Sequence, residues 1–301
     1  MTVLRTPDER FSNLPDYTFA PCYIEHEFAD IGTVRQHYVD EGPPGGHVIL
    51  LLHGEPSWSY LYRHMIPVLA AAGARVIAPD LIGFGKSDKP VDRAVFSYAG
   101  HAAWLMRFLD ALDLKDIGLF CQDWGGLLGL RLVGQQPHRF RFVVASNTGL
   151  PIGTTPSPAF LAWRTFAQAT AEFPIGAILQ QASVRQLSDD EVAAYDAPFP
   201  DERHKAAARA FPLLVPIDPE DQAADDNREA WKGLKQFDRP FLTLFGDSDP
   251  VTKGGEQIFI QRVPGAHSQP HEILQQTGHF CQEDQPRALA EAILALHRAG
   301  S

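Results

Sequence analysis

Asp123 stands in the stretch LFCQDWGG (119–126), where an apolar run ends on a sharp glycine-containing turn and resumes as the helical LLGLRLV. A strand that turns abruptly into a helix exposes one reactive side chain at its apex. The common form of this turn reads G-x-S-x-G, with serine at the apex. Here the apex is aspartate, flanked by Gln122 and Trp124. Further candidates follow in chain order: Asp247 and Asp249 after the strand-like PFLTLFG, then His279 in TGHF after EILQQ. Nucleophile, acid and histidine in that order, each at a strand exit, can converge although far apart in sequence. Asp249 is favoured over Asp247 because Pro250 fixes it one residue into the turn. His53, in LLHGEP, is better placed to order its loop than to transfer protons. An aspartate that only caps a helix would not need the crowded Trp-Gly-Gly that follows Asp123.

A carboxylate at the apex suits a different bond from a serine. Serine attacks a carbonyl carbon. A carboxylate, already ionised at pH 7, needs no general base and suits displacement at saturated carbon. The product is an alkyl ester of Asp123. Water can attack its Cγ once His279 takes the water's proton, with an aspartate orienting the ring. The turn HGEPSW (53–58) follows an apolar strand and directs backbone N–H groups into the cleft, so the amides of Glu55 and Trp124 can form an oxyanion hole. A group that departs as a monovalent anion needs hydrogen-bond donors and no proton. An indole N–H donates and carries no lone pair to repel an anion, which casts Trp124 as a halide donor. Of the five tryptophans, Trp163 in FLAWRTF lies in the first helical segment of a mid-chain insertion. On spacing alone it reads as a second donor or as packing. Trp58 stays open between packing and the site, while Trp104 and Trp231 read as packing.

The elements that must position these residues alternate. The strand-like runs HVILLL (47–52), RVIAP (75–79), DIGLFC (116–121) and FVVASN (142–147) are separated by helical patterns: SYLYRHMIPVLAAAG, GHAAWLMRFLDALDL and WGGLLGLRLVGQQP. Such alternation predicts a mostly parallel sheet covered on both faces. From 152 to 231 the text is helical and proline-punctuated, and the alternation then resumes with PFLTLFG (240–246), EILQQ (272–276) and PRALAEAILALHRAG. This predicts a core made of residues 1–151 and 232–301, with 152–231 inserted as a helical cap over the site. Phe160, Phe166, Phe173, Phe211 and Leu214 predict a small apolar pocket beneath it.

Bulk composition narrows the classes. The 301 residues are 45% hydrophobic, enough for one large domain or a core with an insertion. Lys plus Arg number 26 against 37 Asp plus Glu, a formal charge of −11, which disfavours nucleic acid and anionic membranes. The start, MTVLRTPDER, lacks a signal-peptide pattern, and no apolar run approaches about 18 residues. Cys22, Cys121 and Cys281 are widely spaced without C-x-x-C, as expected of reduced thiols in a cytoplasmic protein. Cys121 reads as core. No metal-ligand spacing occurs among the twelve histidines.

The chain resembles the haloalkane dehalogenases of the α/β-hydrolase superfamily, in the branch whose second halide-binding tryptophan is carried by the cap. The similarity runs nearly end to end, through RTPDERF, HYVDEG, HGEPSWSYLYR, PDLIGFGKSDKP, CQDWGG, YDAPFP, FPLLVP and GHFCQED. The resemblance implies an α/β-hydrolase fold with an inserted helical cap. It implies hydrolysis of a haloalkane to a primary alcohol, halide and a proton through a covalent alkyl-aspartate ester. By position it implies nucleophile Asp123, base His279, acid Asp249, halide donors Trp124 and Trp163, and oxyanion amides at Glu55 and Trp124. The other main branch has asparagine at the position of Glu55 and uses its side-chain amide for the halide. An anionic glutamate cannot donate, so Trp163 is expected to supply the second donor. No metal or cofactor is expected. The expected partners are a small haloalkane, water and product halide, in a cytoplasmic monomer serving detoxification. An epoxide hydrolase is the alternative, since it shares the aspartate turn. It typically carries two cap tyrosines, and between 152 and 231 this chain has Tyr195 alone. A fluoroacetate-type enzyme would place arginine where Trp124 stands. A ligand-binding receptor on an inactive scaffold would have no use for the intact set.

Overall fold

The computed structural model describes residues 1–29 and 31–299. The first half runs β1 (Val3–Leu4), β2 (Cys22–Phe28), β3 (Gly32–Glu41), β4 (Val48–Leu52), α1 (Ile66–Ala71), β5 (Arg75–Pro79), β6 (Lys89–Pro90), α2 (Tyr98–Ala111), β7 (Ile117–Gln122), α3 (Trp124–Gln135) and β8 (Phe140–Ser146). Five helices follow: α4 (Pro158–Ala169), α5 (Ile175–Gln181), α6 (Asp189–Asp196), α7 (Ala206–Leu214) and α8 (Gln222–Leu234). The chain closes with β9 (Phe241–Gly246), α9 (Glu256–Arg262), β10 (Glu272–Leu274), α10 (Cys281–Asp284) and α11 (Pro286–Ala299). Gly300, expected at the end of that last helix, lies outside the described residues, as do Asp30 and Ser301.

Eight strands form one sheet in the order β10-β9-β8-β7-β4-β5-β3-β2. Neighbours are parallel from β5 to β10, and β3 runs antiparallel to both β5 and β2. The strands β1 and β6 form a separate two-residue pair. From β4 the chain steps through α1 to β5 on one side, and from β7 through α3 to β8 on the other. Right-handed crossovers in opposite directions put α1 and α3 on opposite faces and open a crevice at the carboxyl ends of β4 and β7. The register pairs Leu52 with Cys121, so the two strands end within one residue of each other. The turns that carry Glu55 and Asp123 therefore emerge side by side.

Two features depart from the sequence expectation. The strands β2 and β3 carry polar residues throughout, so they lack the buried apolar runs that betray the inner strands. The segment expected as one helix after β4 splits into a 3₁₀ turn (Ser59–Tyr62) and the short α1. Pro67 sits in the first turn of α1, and Ser59 N–H is held by Asp80 at 2.7 Å instead of by a helical carbonyl.

Between β8 and β9 no strand occurs among the described residues, and four helices, α4–α7, precede α8. Ser157 caps α4 by accepting from Phe160 N–H, with Pro158 in its first turn, and Ser188 with Glu191 forms a capping box on α6. The expected boundary at 231/232 falls inside α8. That helix packs on α3: Arg131 Nε donates to Asn227 Oδ1 at 2.8 Å, and Trp231 Nε1 to the Leu150 carbonyl at 2.9 Å. Among the described residues no helix is long and apolar enough to cross a membrane.

Candidate active site

The turn after β7 holds Asp123 at φ +50° and ψ −127°, a region that costs a non-glycine residue about 1–3 kcal/mol. Crowding enforces it. A Cβ on Gly125 would stand 2.0 Å from the Leu52 carbonyl oxygen, and one on Gly126 would stand 1.9 Å from Thr148 Oγ1. The Asp123 carbonyl accepts from Gly126 N–H at 2.9 Å, Leu127 N–H at 3.1 Å and the Thr148 hydroxyl at 2.7 Å. The apex is pinned, and its carboxylate projects into the crevice.

One carboxylate oxygen, Oδ1, accepts from the Glu55 backbone N–H at 2.7 Å. The other, Oδ2, lies 3.3 Å from His279 Nε2. On the far side of the ring, His279 Nδ1 is 2.9 Å from Asp249 Oδ2. Asp249 is fully buried and also accepts from Val251 N–H at 2.9 Å and from the Thr252 hydroxyl. Burial alone would raise the Asp249 carboxyl, but the imidazole and these donors pull it down to about 2. Burial alone would lower the His279 imidazole, yet Asp249 and Asp123 outweigh it and raise it to about 10. Asp247, the other candidate acid, faces away and accepts from Thr277 N–H at 3.1 Å and the Ser248 hydroxyl at 2.8 Å.

The loop bearing His279 is held from both sides. Gln122 Nε2 donates to the His279 carbonyl at 3.0 Å, and Asn147 Nδ2 to the Gly278 and His279 carbonyls at 2.7 and 2.9 Å. From the inserted segment, the Ala182 carbonyl accepts from His279 N–H at 2.8 Å. Asp284 accepts from Gly278 N–H and also from Val184 and Arg185 N–H. Nearby, buried Arg63 pairs with Glu283 and Glu191, and Tyr195 donates to Glu283. Sequence reading did not single out Asn147, Asp284 or this ion cluster. Gln122 and Asn147 end or follow adjacent strands, which is the one signal that could have found them.

A cavity of about 840 Å³ is lined by Glu55, Asp123, Trp124, Trp163, Asp249 and His279, among others. This is larger than the small pocket expected. Phe160 and Phe166 line it, whereas Phe211 packs at 4.5 Å on Trp124 and Phe173 at 5.7 Å on Trp163. Trp58 donates to the Ala194 carbonyl at 3.3 Å, and Trp104 lies in the core against Phe28 and Phe96. His53 accepts from Leu81 N–H at Nε2 and so donates from Nδ1 to the Gly54 carbonyl, tying the exits of β4 and β5 together. The Cys121 thiol, on β7, is fully buried, and burial alone pushes it up.

The chain that builds this clamped carboxylate has counterparts along its whole length among known proteins. The family model described as the alpha/beta hydrolase fold matches residues 47–286. A haloalkane dehalogenase of Psychrobacter cryohalolentis is 51% identical over 295 residues, covering 98% of this chain and 97% of that protein. One from Mycolicibacterium paratuberculosis is 48% identical over 301 residues, covering 99% of each. The solved haloalkane dehalogenase DpaA of Paraglaciecola agarilytica superposes with a TM-score of 0.90 at 34% identity, over 98% of both chains. That protein is described as tetrameric, where a monomer was expected here. Matched along essentially its whole length at such identity, this chain belongs to the haloalkane dehalogenase family of the α/β-hydrolase fold.

Proposed function

We propose that this protein hydrolyses haloalkanes to alcohol, halide and a proton through an ester on Asp123. The observation that carries the reading is the division of labour on that carboxylate. One oxygen already sits on the Glu55 amide, and the other faces His279 Nε2 and the cavity. In the first step Oδ2 attacks the halogen-bearing carbon. The C–O bond forms as the C–X bond breaks, and the halide leaves with the electron pair. The indole N–H groups of Trp124 and Trp163 receive it, in the manner of the family branch with a cap-borne second tryptophan. In the second step His279 takes a proton from water, which adds to Cγ. The oxyanion that forms rests on the Glu55 and Trp124 amides. Collapse expels the alcohol and restores the carboxylate, and the proton on His279 passes to solvent. Asp249 keeps the ring oriented and supports its charge.

The cap in this reading is the 152–231 insertion, with α4, α5 and α7 lining the cavity and α8 returning the chain to the core. The three cysteines, free among the described residues, fit a reducing compartment such as the cytoplasm. Assembly, monomeric or of higher order, is read by sedimentation. The epoxide alternative is disfavoured because the Tyr195 hydroxyl is buried and committed to Glu283. The decisive experiment is His279→Phe with a bromoalkane. It should release about one halide per enzyme and stop, with the alkyl mass mapped to Asp123. Normal turnover, or halide release with Asp123 unmodified, overturns the mechanism.

A further inference from the structure

Glu55 carries a side chain that this mechanism does not use. Its backbone N–H serves Asp123, while the residue, 4% exposed, lines the cavity beside Trp124 and Trp163. Its Oε1 is buried and has no hydrogen-bond partner among the described residues. Facing it are Asp123 from the elbow, His279 from the loop after β10, with Asp249 behind that ring, and the indole of Trp163 from α4. On its own segment, His53 is turned away to Gly54 and Leu81. An ionised Glu55 would bury a carboxylate oxygen without a donor, close to a second carboxylate, beside the place where an anion departs. Each of these opposes charge.

We propose that Glu55 works as an uncharged carboxylic acid, and that its neutrality leaves the Trp163 N–H free to bind halide. A carboxylate would hold the indole N–H in a charge-assisted hydrogen bond and repel the halide. The carbonyl oxygen of a neutral acid is a weaker acceptor and gives the donor up. Burial first, and the Asp123 charge second, push the Glu55 carboxyl well above the ordinary range, against the opposing pull of His279 and Trp163. The side chain that cannot donate as an anion thus serves the leaving group by not being one.

The inference rests on Trp163 as a halide donor, but the protonation state is testable without halide. A glutamate whose folded-state pKa lies above its unfolded value of about 4.3 makes stability fall as pH rises between the two. Glu55→Gln is isosteric and permanently neutral, so it lacks that slope. Its melting temperature relative to wild type should climb from about pH 5 to about pH 8, and a constant difference overturns the proposal. Chloride affinity, read by tryptophan fluorescence at neutral pH, should fall no more than about tenfold below wild type, since one neutral group replaces another and the amide adds a donor. A larger loss would mean that the carboxyl group itself is required, and that result overturns the proposal. If Trp163→Phe leaves chloride affinity unchanged, the donor assignment fails while the melting curves still decide Glu55. Should Glu55→Gln not fold, infrared spectra of ¹³C-glutamate-labelled wild type must show a protonated carboxyl band at neutral pH. Its absence refutes a neutral Glu55.

Discussion

Removing the charge of Asp123 should lower the pKa of His279 steeply, and that drop is how the proposed base becomes available. In the resting site the imidazole lies 3.3 Å from Asp123 Oδ2 and 2.9 Å from Asp249 Oδ2, and its proton is held up to about 10. At neutral pH the ring is therefore an imidazolium and cannot take a proton from water. Esterification of Asp123 cancels one of the two charges. At 3.3 Å and an effective dielectric constant near 20, that pair is worth about 5 kcal/mol. The Asp123 side chain is 21% exposed, so solvent screening trims the figure, to about two to three pKa units. Asp123→Asn copies the shape of the ester oxygen pair without the charge. Titration of the His279 ring by NMR should move down by about two units or more from wild type. The companion kinetics follow. In single turnovers of wild type, halide release should be flat with pH, while alcohol formation should rise about tenfold per unit up to the pKa of the esterified enzyme. If the ring titrates within about half a unit in both proteins, alkylation does not switch the base and the coupling is wrong.

Trp163→Phe keeps the ring and removes the N–H. Halide should bind more weakly and kcat should fall by about a hundredfold, near 3 kcal/mol, in steady-state assays. Glu283→Gln leaves buried Arg63 with Glu191 and the Tyr60 carbonyl as remaining partners. Urea unfolding should show a loss of about 3 kcal/mol, the low end for breaking a buried pair. Asp249 and Glu191 are both depressed to about 2 in the folded protein. They add stability above their unfolded values of about 4 and lose it as pH falls towards 2, so urea midpoints should drop across that window. A midpoint flat between about pH 4 and pH 2 contradicts both assignments.

The central strands and the helices around them were legible because they bury continuous apolar runs, and strand exits are where an α/β sheet presents chemistry. That reasoning singled out Asp123, Asp249 and His279 from residues far apart in sequence, with family resemblance supplying the roles. The preference for Asp249 over Asp247 rested on one proline. In the structure the turn sends Asp249 inward to His279 and leaves Asp247 bonded to Thr277 and Ser248.

Other features depended on contacts that no local pattern records. The polar-laced strands β2 and β3 take their place by antiparallel pairing at one end of the sheet, with β2 as the edge strand. α8 reads as part of a helical insertion, yet Arg131 and Asn227 fasten it to α3 in the core. Asn147 looks like any residue after a strand until the fold brings the His279 loop against its amide. The charge state argued for Glu55 is the clearest case. Composition assigns a glutamate a negative charge, and only the folded surroundings, burial beside Asp123 and the indole of Trp163, oppose it. A sequence specifies which groups are present and where strands must end. Solvation and the distance between charges exist only once distant segments meet.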